Sequence, residues 1–116
     1  MRTAYHEDLD RISEQLVEMT RLAGSAMSRA SRALLDADVQ IAETVISADQ
    51  EIDQAREDLD TLAIDLLARQ APVATELRQV VTAMRMSSDL ERMGDLARHV
   101  AKVARLRYPE SAVPAQ

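Results

Sequence analysis

The chain has 116 residues, enough for one small domain, and 47% of them are hydrophobic, so a core can be built and disorder throughout is disfavoured. With 2 Gly, 3 Pro, no Phe and no Trp it lacks the turn residues of an all-β fold, and with no cysteine it excludes disulfides, thiolate metal sites and cysteine nucleophiles. The net charge of -6 weighs against nucleic acid, whose binders carry a basic footprint, and suits cations or basic partners.

The first helical pattern runs from about His6 to Asp36. Tyr5, Leu9, Ile12, Leu16, Met19, Ala23, Ala26, Ala30 and Ala33 recur in steps of four and three, the seam of a helix packed at a shallow angle. Leu22, Met27 and Leu34 lie off this seam and are expected to be exposed, which makes them candidates for self-association. Asp36-Ala37-Asp38 interrupts the pattern, and either Asp can cap a second helix. Its seam is read as Ile41, Val45, Ala48, Ile52, Ala55, Leu59, Leu62 and Leu66, ending near Gln70. Pro72 suits the first turn of a third helix, from about Val73 to Leu106. Its apolar positions are Leu77, Val80, Val81, Met84, Met86, Leu90, Met93, Ala97, Val100 and Ala104. Tyr108-Pro109 stops it, and residues 109–116 read as a linker or loose tail. Helices of this size are each ~45 Å long, and short connections make them antiparallel neighbours. The reading is all-α: an antiparallel up-down-up three-helix bundle over residues 5–108, elongated and suited to pairing with another copy or another bundle. No apolar run approaches the ~20 residues of a membrane span. The polar stretch from Met1 to Asp8 does not read as a signal peptide, so the default compartment is the cytoplasm.

Ser88-Asp89-Leu90-Glu91-Arg92-Met93-Gly94-Asp95 is the most unusual stretch. It places Glu91 and Asp95 one turn apart, where like charges cost ~0.2–0.5 kcal/mol. Gly94 between them costs ~1 kcal/mol relative to Ala. Asp49 and Asp53 repeat the spacing on the second helix. Each pair flanks an expected seam, so the four carboxylates could line one groove and hold a hard divalent cation or iron through oxygen. The competing reading is a solvated acidic face balanced by Arg56, Arg92 and Arg98. Arg78, Arg85, Arg92 and His99 recur every seven residues on the third helix. This stripe could bind phosphate or an acidic partner, or it could pair with acids on the other helices. His6 and His99 could each ligate a metal or be ordinary side chains. No nucleophilic triad, phosphate-cradling loop or zinc-type His/Cys site is present. A di-iron carboxylate centre would want Glu-x-x-His, which the chain lacks.

Pro72-x-x-x-Glu76-Leu77-Arg78, followed by Asp89-Leu90-Glu91-Arg92-Met93-Gly94-Asp95-Leu96-Ala97 and preceded by Asp49-x-x-Ile52-Asp53, closely resembles the PhoU proteins over residues 5–108. These are bacterial regulators of phosphate uptake and phosphate-starvation signalling. The resemblance implies three-helix bundles that occur as two tandem repeats, with acidic motifs carrying iron or zinc clusters. Carried over by position, the ligands are Asp49, Asp53, Glu91 and Asp95. The chain holds one repeat and looks like the N-terminal half of a longer protein. The implied function is a cytoplasmic, non-enzymatic adaptor between a phosphate ABC transporter and a sensor histidine kinase. The rival reading is a structural helical oligomerisation module without a ligand; a carboxylate-bridged metallo-oxidase is a weak third.

Overall fold

The computed structural model describes residues 2–69 and 74–110. Three helices account for nearly all of it: α1 (Arg2–Asp36), α2 (Val39–Arg69) and α3 (Ala74–Arg107). The expected start of the third helix at Val73, the placing of Pro72, and the tail from residue 111 onward lie outside the described residues. Tyr108, Pro109 and Glu110 form a turn after α3, with the Glu110 N–H donating to the Arg107 carbonyl at 2.9 Å.

The first turn is dictated by two residues. Ala37 has a left-handed backbone (φ 52°), and the Asp38 N–H returns to the Ala33 carbonyl at 3.1 Å. This is the hydrogen bond that closes a helix C-terminus when the residue past its end turns left-handed. Asp38 then starts α2, its Oδ1 accepting the N–H groups of Gln40 at 3.1 Å and Ile41 at 3.0 Å. Of the two candidate caps it is Asp38 that serves, satisfying two of the donors a helix start leaves free.

Ion pairs between helix ends show the antiparallel order. Asp8, near the start of α1, meets Arg69 at the end of α2 (3.1 Å), and Arg105, near the end of α3, meets Glu43 near the start of α2 (3.4 Å). Each helix packs against both others, and the bundle is a rod of 58 × 23 × 16 Å. The fold is the up-down-up three-helix bundle expected from the sequence.

The seam of α1 is as read at Tyr5, Ile12, Met19, Ala23, Ala26, Ala30 and Ala33, which are buried, while Leu9 and Leu16 are half-buried against the core. The seam of α2 is as read at Val45, Ile52, Ala55, Leu59 and Leu66, and that of α3 only at Val80, Ala97 and Ala104. On α2 the buried positions are Ala42, Val45, Asp49, Ile52, Ala55, Leu59, Ala63 and Leu66. Ala48, Ile41 and Leu62 are only half-buried, one residue to the side. On α3 the buried positions are Val80, Ala83, Ser87, Gly94, Ala97, Ala101 and Ala104. Leu77 and Met86 are exposed, and Met84, Leu90 and Val100 pack on the flank. On α3 the physical reason is close approach: apart from Val80, small residues occupy the line where the helix backbones come nearest, and the larger ones wrap the sides of the contact. The small and polar positions Ala42, Asp49, Ala63, Ala83, Ser87, Gly94 and Ala101 are therefore the ones the apolar pattern misses. Leu22, Met27 and Leu34 also depart from expectation, since they pack against the core instead of standing exposed. The large apolar residues that are exposed include Val17, Leu35, Ile64, Leu96, Val103 and Leu106.

Candidate metal centre

Because α2 turns Asp49 onto its buried stripe, this carboxylate is 5% exposed. It lies against Gly94 of α3: a Cβ at that glycine would fall 2.9 Å from Ile52 Cδ1 and 3.5 Å from Asp49 Oδ1. The glycine that looked like a helix penalty in the sequence is thus the place where α3 makes room for α2. One turn along α2, Asp53 is half-buried, and Asp95, the residue after the glycine, is half-buried on α3. One carboxylate oxygen from each of Asp49, Asp53 and Asp95 lies within 4.8 Å of the other two. Three of the four sequence-predicted ligands are therefore brought together.

Glu91 stands beside this triad. Its Oε1 accepts a hydrogen bond from Arg56 Nη1. Arg56 further approaches Asp60 at 3.6 Å. Arg98, three residues after Asp95, reaches Asp49 Oδ2 from Nη1 at 3.5 Å. Asp49 Oδ1 and Arg98 Nε are buried with no hydrogen-bond partner among the described residues.

Crowded carboxylates are reluctant to ionise together. Burial, then the charges of Asp49 and Glu91 and the hydrogen bond to Glu91, push the Asp53 carboxyl up to about 6. Burial likewise raises Asp49, with Asp95 and Glu91 adding to it and Arg98 opposing it. A group whose charge is disfavoured by its neighbours is one that a cation would restore.

The donor set is all oxygen, which suits a hard divalent ion or iron. Oxygens on opposite sides of one such ion are ~4–5 Å apart, so the observed spread is compatible with a shared ion. The orphaned Asp49 oxygen is the strongest sign of fit, since a buried acceptor without a partner costs ~1–3 kcal/mol. The residues present fit a metal.

Other candidates stand apart. His6 is exposed, in edge contact with Tyr5 at 6.2 Å between ring centroids, and His99 is exposed on α3. Neither belongs to the carboxylate group. Arg78, Arg85, Arg92 and His99 are exposed, and among the described residues none forms an ion pair with the acids of α1 or α2, so the expected pairing does not occur. Two buried polar residues went unnoticed in the sequence. Ser87 donates to Met19 Sδ at 3.3 Å, and Asp8 is held by Arg69 (3.1 Å) and Arg11 (3.2 Å). Both sit at seam spacing, Ser87 seven residues before Gly94 and Asp8 four before Ile12. That spacing was the available signal.

A three-helix rod with a carboxylate cluster across two helices defines a class of all-α, acidic-motif bundles. The PhoU domain family matches residues 16–104, and the chain belongs to that family. It is 54% identical over 114 residues to the phosphate-specific transport system accessory protein PhoU homolog 2 of Mycobacterium tuberculosis, covering 98% of this chain and 54% of that protein. The PhoU homolog 1 of Mycobacterium leprae is 51% identical over 98% of this chain and 51% of its own length. The PhoU homolog of Rhizobium meliloti is 35% identical over 86% of this chain and 42% of its own length. The chain spans about half the length of these curated relatives. No helix among the described residues is long and apolar enough to cross a membrane.

Proposed function

We propose that the chain acts as a metal-binding, non-enzymatic helical regulator of phosphate uptake and phosphate-starvation signalling. It works in the cytoplasm, as an adaptor between a phosphate ABC transporter and a sensor histidine kinase, and associates with further copies of itself as a homodimer or larger oligomer. The names of its relatives, accessory proteins of phosphate-specific transport, support the transport role. The kinase link rests on the family resemblance. The single observation carrying the metal is Asp49, 5% exposed, with Oδ1 unpartnered beside Asp53 and Asp95.

In this reading Asp49, Asp53 and Asp95 hold the ion and Glu91 borders it. When bound, the metal supplies positive charge that cross-links α2 to α3. The chain's own residues do the rest: Gly94 permits the helices to approach, Arg56 holds Glu91 against α2, and the long faces of the rod remain available to partners.

Calorimetric titration with iron(II), zinc and manganese(II) tests the site. The wild type should take up metal and gain melting temperature in step with its concentration, following RT ln(1 + [L]/Kd). Asp49→Asn, Asp53→Asn and Asp95→Asn should each lose most of that gain while keeping their helical content. Glu91→Gln, outside the triad, should lose less. Absence of heat and of any melting shift for all three ions in the wild type would remove the metal. The second reading, a structural oligomerisation module without a ligand, would then stand. It is favoured by Arg56 and Arg98, which already neutralise part of the cluster.

A further inference from the structure

Two guanidinium groups face the carboxylate cluster, and they are not equivalent. Arg56 of α2 is well engaged: it donates to Glu91 across the helix interface and lies 3.6 Å from Asp60 on its own helix. Arg98 of α3 is poorly engaged. Its contact to Asp49 Oδ2 is 3.5 Å long, whereas charge-assisted bonds of this kind are usually ~2.7–2.9 Å. Among the described residues its Nε is buried without a partner, and so is the other oxygen of the carboxylate it faces. Opposite charges hold the pair together while the hydrogen-bonding capacity of both groups goes unused. Such a contact is the one a better cation can break. The Arg98 side chain is 36% exposed, so its head can turn to water while its stem stays on the helix surface.

We propose that Arg98 is a built-in counter-cation of this site, which a metal ion must displace from Asp49, so that Arg98 sets the affinity of the centre and signals its occupancy at the surface of α3. The inference rests on the metal reading above. In the empty site Arg98 holds the charge of Asp49 in check. An ion taken by the Asp49, Asp53 and Asp95 oxygens removes the reason for that contact. The guanidinium then joins the solvent-facing side of α3, where Lys102 is already exposed one turn further on. Occupancy of a site between two helices thereby changes the charge presented on one helix face. Arg56 stays in place in both states, because its partners Glu91 and Asp60 lie outside the carboxylate triad.

A residue that merely braces the fold and one that competes with metal predict opposite signs. Removing a brace lowers both stability and metal affinity. Removing a competitor lowers the stability of the metal-free protein, since Asp49 loses its nearest cation, but raises metal affinity, since the cluster becomes more negative. The experiment is calorimetric titration of wild type, Arg98→Met and Arg98→Lys with manganese(II), with thermal melts of each protein in chelator. Arg98→Met should bind manganese about tenfold more tightly or better, given the strength of unit charges at contact distance, and melt lower without it. Arg98→Lys, which keeps the charge, should stay near the wild type. If the methionine variant does not fold without metal, Arg98→Gln carries the same comparison on a polar side chain. Equal or weaker manganese binding by the neutral variants, with the wild type binding normally, overturns this inference and leaves the metal reading standing. No manganese uptake by the wild type overturns both.

Discussion

Asp53 concentrates the electrostatics of the site. Its carboxyl is pushed from 3.8 up to about 6 by burial and by the charges of Asp49 and Glu91, with Asp95 adding to them. In the unfolded chain it titrates near its ordinary value, so between those limits the folded protein keeps a proton that the unfolded chain has released. The contribution to stability is therefore present below about pH 4 and is lost as pH rises through 6. In chelator, the melting temperature should fall between pH 5 and pH 7, and Asp53→Asn should flatten that fall and melt above the wild type at pH 7. Melts across this range decide the matter; parallel profiles for the two proteins would mean that Asp53 titrates normally. Added metal reverses the sign, because it favours the ionised form. The same residues that weaken the empty bundle are those the proposed ion would satisfy.

At the scale of the helix, energetics depend on which residues face the axis. Leu59 is fully buried on α2, whereas Leu62 packs on the flank and is half-buried. Leu59→Ala should cost ~2–5 kcal/mol, a large share of a small domain's stability. Leu62→Ala leaves a gap that water and neighbouring side chains can reach, and should cost ~1 kcal/mol. Denaturant melts followed by helical circular dichroism measure both, and equal losses would contradict the difference in burial between the two positions. The polar seam positions follow the same logic. Ser87 and Asp8 are tolerated inside because each has a partner, Met19 Sδ for one and two arginines for the other. Asp49 is the exception, buried at a seam position with one oxygen unserved.

As a whole the molecule is a thin rod, and a rod has much surface for its core. Leu96, Val103 and Leu106 lie seven and three residues apart along α3 and are 59%, 44% and 84% exposed. That spacing places them on one side of the helix. Self-association through exposed apolar residues of this kind is the expected outcome of the proposed homo-oligomer. Sedimentation at micromolar to high micromolar concentration should show a concentration-dependent increase in mass that Leu96→Glu with Leu106→Glu abolishes. A strict monomer across that range would count against it.

The helices, their order and their antiparallel arrangement were legible in the sequence because they depend on local periodicity and on short connections. So were the paired acids, whose i, i+4 spacing is a property of one helix at a time, and the family, carried by the run from Leu90 to Asp95. Only the tertiary structure placed the small and polar residues of α2 and α3 on the inward stripe. That choice depends on how closely two backbones can approach, and it is made by Ala42, Ala63, Ser87 and Gly94, residues with little hydrophobic signal of their own. The same choice buries Asp49, joins it to Asp53 and Asp95, and leaves Glu91 to Arg56. Spacing along a helix determines which carboxylates are neighbours in sequence. Which of them share a site is determined by the rotation of one helix against another, and that is set by packing of the entire bundle.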